Sequence, residues 1–184
     1  MIGNFYIRPS WENEKKDCEN IIIDPALAFG SGHHESTKMC VEFLQKYIKD
    51  KENLLDIGCG SGILSICAAK LKAKVSSCDT DELAVKSTQQ NAKINKIKLD
   101  EIWCGSTNFA IKNSKKYNVI VANIVADVIL ILKKDLINLL EFGGIIILSG
   151  ILSKYKNDIE TNFSSLKLLE FKQDGEWMSF IYKG

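Results

Sequence analysis

Asp56, Gly58, Gly60 and Gly62 fall within seven residues, and their types and spacing are those of a site that brings bare backbone against a ligand. The stretch Leu54-Leu55-Asp56-Ile57-Gly58-Cys59-Gly60-Ser61-Gly62 reads as a short apolar strand, an acidic residue and then glycine at every second position. A helix-forming segment, Ile63 to Leu71, follows at once, and its first turn offers unpaired N–H groups to an anionic part of a ligand. Asp79 closes the next apolar strand 21 positions after Gly58, the distance at which a carboxylate accepts from both hydroxyls of a ribose. The competing role for Asp79, capping the next helix, is better filled by Asp81. Asn123 ends a β-branched strand, where its side-chain and backbone carbonyls can accept hydrogen bonds from an amine. An Asn is also a common residue of strand-to-helix turns, so by itself it leaves both roles open.

The glycine pattern separates nucleotide classes. A dinucleotide site needs G-x-G-x-x-G, and Ile63 stands where the third glycine would be, which disfavours an NAD-dependent oxidoreductase. No Gly-Lys-Ser/Thr follows the glycines, so the loop is not a P-loop. The spacing D-x-G-x-G-x-G instead resembles the AdoMet-binding loop of Rossmann-like methyltransferases, where Asp56 would bond to the amino acid end of the ligand and Gly58 and Gly60 would admit its methionine moiety. Cys59 has no cationic neighbour in sequence to activate it and reads as a small apolar filler.

These residues need a scaffold, and the apolar runs supply one. Strands are expected at the start of the glycine loop, at Val75 to Cys78, Ile102 to Cys104, Asn118 to Ala122, Gly144 to Leu148, Leu166 to Phe171 and Met178 to Tyr182. Helices are expected from near Ser36 or Thr37 to Tyr47, over Ile63 to Leu71, over Asp81 to Ile94 with Asp81 as cap, over Val125 to Leu140 ending near Gly143-Gly144, and around Tyr155 to Phe163. Only a short polar connection with Gly175 separates the last two strands, so they pair antiparallel. The expected fold class is α/β: a seven-stranded, mostly parallel sheet with an antiparallel C-terminal edge pair, binding its ligand beyond the carboxyl ends of the strands.

Composition narrows the function further. The 184 residues suit a single domain, with 1–34 read as a lead-in and covering loop and 35–184 as the core sheet. A net charge of +1, with Arg8 the only arginine among 24 basic residues, argues against direct nucleic-acid binding. Six cysteines at 18, 40, 59, 67, 78 and 104 form no CxxC pair, and two adjacent histidines, His33 and His34, cannot easily both face one ion, so no metal is expected. Apolar runs of strand length and cysteines without a disulfide pattern point to a soluble cytoplasmic protein with no membrane span.

Taken together, the motifs resemble the methyltransferases of large-subunit ribosomal protein 11, the PrmA type. The loop Asp24 to Thr37, DPALAFGSGHHEST, is similar to that family's DPGxAFGTGxHxTT, and Asp56 to Ile66, DIGCGSGILSI, to its DFGCGSGILAI. Val121 to Ile124 matches VVANI, Leu148 to Leu152 matches LSGIL, and Pro9-Ser10-Trp11 matches its lead-in PSW. The resemblance runs from about Tyr6 to Tyr182 and implies a Rossmann-like class I methyltransferase. It implies AdoMet as cofactor, contacts from Thr37, Gly58, Asp79 and Asn123, and Phe29 and His34 shaping the covering loop. The implied activity is methylation of lysine or N-terminal amines of a ribosomal protein, with Asn123 orienting the amine. Another protein, a nucleic-acid base or a small amine is the alternative acceptor, and a non-catalytic AdoMet-binding module the non-enzymatic alternative. The family's usual N-terminal recognition domain is expected to be absent, and Gly105-Ser106-Thr107 replaces a carboxylate after the third strand.

Overall fold

The computed structural model describes residues 1–24 and 35–184. The chain opens with a small parallel pair, β1 (Phe5–Arg8) and β2 (Glu19–Ile22), and then α1 (Glu35–Tyr47). Strands and helices alternate from there: β3 (Asn53–Ile57), α2 (Ile63–Lys70), β4 (Lys74–Asp79), α3 (Glu82–Ile94), β5 (Glu101–Cys104), α4 (Asn108–Lys112), β6 (Tyr117–Asn123) and α5 (Ala126–Leu139). The chain closes with β7 (Leu140–Leu152), α6 (Lys156–Asn162), β8 (Lys167–Asp174) and β9 (Trp177–Lys183).

β3 to β9 form one sheet in the order β5-β4-β3-β6-β7-β9-β8. β5 through β7 run parallel, and β9 pairs antiparallel with both β7 and β8. The expected seven-stranded sheet with its antiparallel closing pair is therefore what the chain builds. From β3 the chain winds outward to β4 and β5, then crosses back to β6, so the switch point lies between β3 and β6.

Strand alternation divides the core. Leu54, Val75, Val119, Val121, Ile147 and Ile181 pack beneath α1 and α2, while Leu55, Ile57, Cys78, Ile120, Ala122 and Phe180 pack with α5 and α6 on the opposite face. Asp81 caps α3, its carboxylate accepting the Leu83 N–H at 2.8 Å.

One boundary and three short elements differ from the sequence reading. α5 stops at Leu139 and β7 begins at the next residue, so Gly143-Gly144 does not end the helix. Gly144 serves strand approach instead, since a Cβ there would lie 2.7 Å from the Asn118 carbonyl oxygen. The five-residue α4 and the four-residue strands β1 and β2 are too short to show a period.

The lead-in is bound into the domain. Ile2, Phe5, Ile21 and Ile23 belong to the same apolar cluster as Val41, Leu44 and Leu64. The free edge of β2 is satisfied by side-chain amides of α3: Asn95 accepts from the Ile22 N–H (2.8 Å) and donates to its carbonyl (2.6 Å), and Asn91 accepts from the Asp24 N–H (3.1 Å). Asn91 also donates to the Ser61 carbonyl at 2.9 Å, tying the lead-in to the glycine loop.

Candidate active site

A cavity of about 560 Å³ opens at the carboxyl ends of the strands, over the switch point between β3 and β6. Gly105 and Ser106 beyond β5, Asp79 and Thr80 at the end of β4, and the Gly58–Ser61 segment beyond β3 form one flank. Asn123, Ile124 and Val125, Gly150 of β7 and Trp177 at the head of β9 form the other. Asp79 is the only acidic or basic side chain among the described residues of the wall.

All three loop glycines have positive φ: 73° at Gly58, 55° at Gly60 and 81° at Gly62. At Gly58 a Cβ would come within 2.4 Å of Ile124 Cγ2, and at Gly62 it would meet the Thr88 side chain at 2.9 Å. The alternating glycines thus let β3, β6 and α3 close on the loop while its backbone faces the cavity. The Gly58 and Cys59 N–H groups both donate to the Cys78 carbonyl, at 2.9 and 3.1 Å, which holds the turn against β4.

Asp79 does more than either role weighed from sequence. One carboxylate oxygen accepts the Gly60 N–H at 2.9 Å and the other accepts the Asp81 N–H at 3.0 Å. Each oxygen retains a further lone pair, so the group that braces the loop still has acceptor capacity for a ligand hydroxyl.

The geometry places Asp56, expected to contact the ligand, beneath the cavity rather than in its wall. Asp56 is 1% exposed and does not reach the cavity wall. β3 continues through Ile57, so Asp56 pairs in register with Ser77 and Val121, below the rim, whereas Asp79 and Asn123 stand at their strand ends. Its Oδ2 accepts from Ser65 Oγ of α2 at 2.5 Å, Ser65 lies 2.7 Å from Ser77 Oγ, and Oδ1 has no partner. Burial pushes the Asp56 carboxyl up from 3.8 to about 6, against the opposing hydrogen bonds from Ser65.

Asn123 is held by α1. Its Nδ2 donates to Thr37 Oγ1 at 3.2 Å, and both residues stand in the cavity wall. Ser149 Oγ, buried one strand away, accepts no free space: it donates to the Ser36 carbonyl at 3.1 Å and bonds with Ser179 Oγ, joining α1, β7 and β9 beneath the site. Gly150, with φ 76°, leaves room for the amide, since a Cβ there would sit 3.0 Å from Asn123 Oδ1 and 2.9 Å from the Ile124 carbonyl. Phe29, His34 and the adjacent His33 lie outside the described residues. Cys59 lines the cavity but its thiol is pushed well above the ordinary range, by burial first and then by the Asp56 charge. It accepts from Thr88 Oγ1 at 3.3 Å, which fits a filler rather than a nucleophile.

Sequence reasoning missed Asn91, Thr88, Gly150 and Trp177. Asn91 and Thr88 carried a signal, as polar residues on the helix face that had to be buried. Trp177 carried none, because only the pairing of β9 with β7 brings its first residue to this end of the sheet.

A seven-stranded sheet of this order, with a glycine loop and an acidic second strand end at the switch point, defines a class I methyltransferase fold. The chain belongs to the ribosomal protein L11 methyltransferase (PrmA) family, whose model matches residues 1–184. It is 56% identical over 182 residues to the ribosomal protein L11 methyltransferase of Campylobacter lari, an alignment that covers 99% of this chain and 64% of that protein. The chain thus spans just under two thirds of the length of such curated relatives. The solved ribosomal protein L11 methylase of Lactobacillus delbrueckii superposes with a TM-score of 0.90 at 30% identity, covering 97% of this chain and 94% of that one. The 16S rRNA N2 G1207 methyltransferase of T. thermophilus, solved with AdoMet and guanosine, shares the fold at a TM-score of 0.70 and 22% identity, over 85% of this chain and 45% of that one.

Proposed function

We propose that residues 1–184 form one AdoMet-dependent protein N-methyltransferase domain whose acceptor is a lysine or N-terminal amine of large-subunit ribosomal protein L11. The observation that carries the cofactor assignment is the pairing of Asp79, with acceptor capacity left over at a strand end, and a glycine loop whose backbone faces the same cavity. The wall suits a cationic ligand: among its described residues Asp79 is the one charged side chain, and none is a lysine or arginine.

In this reading Asp79 holds the ribose hydroxyls, the Gly58–Gly60 backbone holds the methionine part, and Ile124, Val125, Val128 and Leu132 offer an apolar face to the adenine. When bound, AdoMet supplies a sulfonium methyl that is already activated, so the protein contributes chiefly position. Asn123 accepts an amine N–H at Oδ1 while Thr37 holds its NH2, which turns the nitrogen lone pair toward the cofactor side. Free lysine has a pKa near 10.4, so the reactive neutral form depends on a partly dry site. Asp79 is two strands from Asn123, roughly 10 Å at ordinary strand spacing, too far to take the proton. Among the described residues of the wall no side chain is therefore assigned as the base, and Asn123 orients rather than titrates.

The relatives that support L11 as acceptor extend beyond this chain's length, so the substrate rests on family likeness and the cofactor on geometry as well. A cytoplasmic location fits the free cysteines, and among the described residues no helix is long and apolar enough to cross a membrane. Labelled methyl should pass from AdoMet to purified L11, and Asn123→Ala should slow this about 100-fold. An AdoMet-binding sample that labels no L11 overturns the acceptor, whereas a folded sample that does not bind AdoMet in calorimetry overturns the cofactor.

A further inference from the structure

The net charge of +1 is the sum of two unlike parts of the molecule. Segments 48–53, 70–74, 95–101, 112–117, 140–145 and 163–167 lead into strands of the sheet, and 183–184 follows the end of β9. The strand pairings bring all of them to one edge, the amino ends of the parallel strands, opposite the cavity. These segments hold twelve lysines and five acidic residues, a net +7, whereas the rest of the chain holds twelve basic and eighteen acidic residues, a net −6. Residues 25–34 contain no lysine, arginine or acid, so the imbalance lies entirely within the described residues. Lys70 and Lys115 are ion-paired, with Glu19 at 2.7 Å and Glu101 at 2.9 Å. The other ten lysines are exposed and form no ion pair among the described residues. Like charges gathered on one edge repel one another, and a bound polyanion relieves that repulsion.

The edge has a shape as well as a charge. Lys74, Lys98, Lys115 and Lys116 converge with Asn53 on a polar depression of about 380 Å³ at the feet of β3 to β6. Phe142, in the bulge of β7 between the Leu140 and Ile145 pairings, is fully exposed on the same edge. Arg8 is the only arginine and lies in β1, so this edge has none of the planar forks that read base edges in a groove. Lysines beside an exposed ring are instead the parts that follow a phosphate backbone and stack an unpaired base. The Asn53 side chain adds an amide able to meet a 2′-hydroxyl. We propose that the amino-end edge of the sheet is a docking face for single-stranded RNA, held at its phosphates by the exposed lysines and stacking a base on Phe142. The near-zero total charge that spoke against nucleic acid conceals this face. It lies a five-residue strand, roughly 17 Å, from the cavity, and the inference does not depend on the methyltransferase reading.

Its test is fluorescence anisotropy of a labelled oligouridylate of about 20 nucleotides, titrated with the chain. Neutralising about five phosphates gives a log–log salt slope of about −3.5, so affinity should fall about 100-fold between about 50 and 200 mM potassium chloride. Lys74→Gln combined with Lys98→Gln should weaken binding about 25-fold at about 100 mM salt and reduce the slope by about 1.4, the share of two phosphate contacts. Lys86→Gln combined with Lys154→Gln removes the same charge from the rest of the chain and should change affinity by less than about threefold. Phe142→Ser should cost about tenfold with the slope unchanged. A deoxyuridylate strand of the same length should bind about threefold more weakly. All five side chains are exposed, and circular dichroism with urea unfolding establishes that each variant is folded. Equal losses from the two lysine pairs, a slope that Lys74→Gln with Lys98→Gln leaves unchanged, or full affinity in Phe142→Ser overturns the inference. Equal binding of the deoxy strand, or tighter binding to phosphatidylserine vesicles than to RNA, overturns it as well.

Discussion

Asparagine at position 56 would keep the shape of the buried side chain and remove its charge. Asp56 is 1% exposed, accepts one hydrogen bond from Ser65 and leaves Oδ1 unpartnered, so its ionised form is poorly solvated. Its carboxyl rises from 3.8 to about 6 on folding. The native state therefore binds more protons than the unfolded state between those values, so stability falls as pH rises through that window and levels off above it. A rise of this size is worth about 3 kcal/mol, most of it lost between pH 4 and pH 6. Asp56→Asn lacks the titration, so its stability relative to wild type should climb by about that amount over the same window. Any fixed cost of placing an amide NH2 beside the former Oδ1 position is the same at every pH and does not alter the slope. Urea unfolding of both proteins without cofactor, at intervals from pH 4 to pH 8, measures the difference directly. A difference constant to within about 0.5 kcal/mol over that range would refute the assignment of a buried, charged Asp56 at neutral pH.

Three other substitutions probe the site. Gly58→Ala combines a positive φ of 73° with a 2.4 Å approach to Ile124 Cγ2, and should destabilise by about 2–4 kcal/mol in urea unfolding; a change under about 0.5 kcal/mol would mean that β6 yields to the methyl group. Asp79→Asn should weaken AdoMet binding by about 10- to 100-fold in calorimetry, the cost of losing a charge-assisted acceptor, and unchanged affinity would remove Asp79 from the ribose role. Asn91→Ala leaves the Asp24 N–H and the Ser61 carbonyl without their shared partner, which should cost about 2–4 kcal/mol and speed amide exchange at Asp24 selectively; unaltered exchange there would show that Asn91 does not anchor the lead-in.

The sheet was legible chiefly because its central strands β3 and β6 are short, largely apolar runs buried on both faces, and each is separated from the next strand in sequence by a helix. The helix start at Asp81 followed from one capping residue. The short elements β1, β2 and α4 were not legible, since four or five residues hold less than one full period of evidence. The span of α5 was legible to within a residue at each end, but the role of Gly143-Gly144 was not, because glycine marks equally a helix terminus and a close strand approach.

What the sequence determined by itself is local chemistry. Three alternating glycines before a helix imply a turn with left-handed backbone, and an acid and an amide placed last in their strands imply side chains at one edge of a sheet. What only the tertiary structure decided is height and neighbourhood. Whether an acid next to a glycine loop touches the ligand depends on where strand pairing stops, and β3 pairs one residue past Asp56, which sinks the carboxylate beneath α2 while Asp79 stays at the rim. Trp177 enters the site for a related reason: an antiparallel strand brings its first residue, not its last, to the functional edge, and the insertion of β9 between β7 and β8, which sets that residue beside the site, is decided by tertiary pairing.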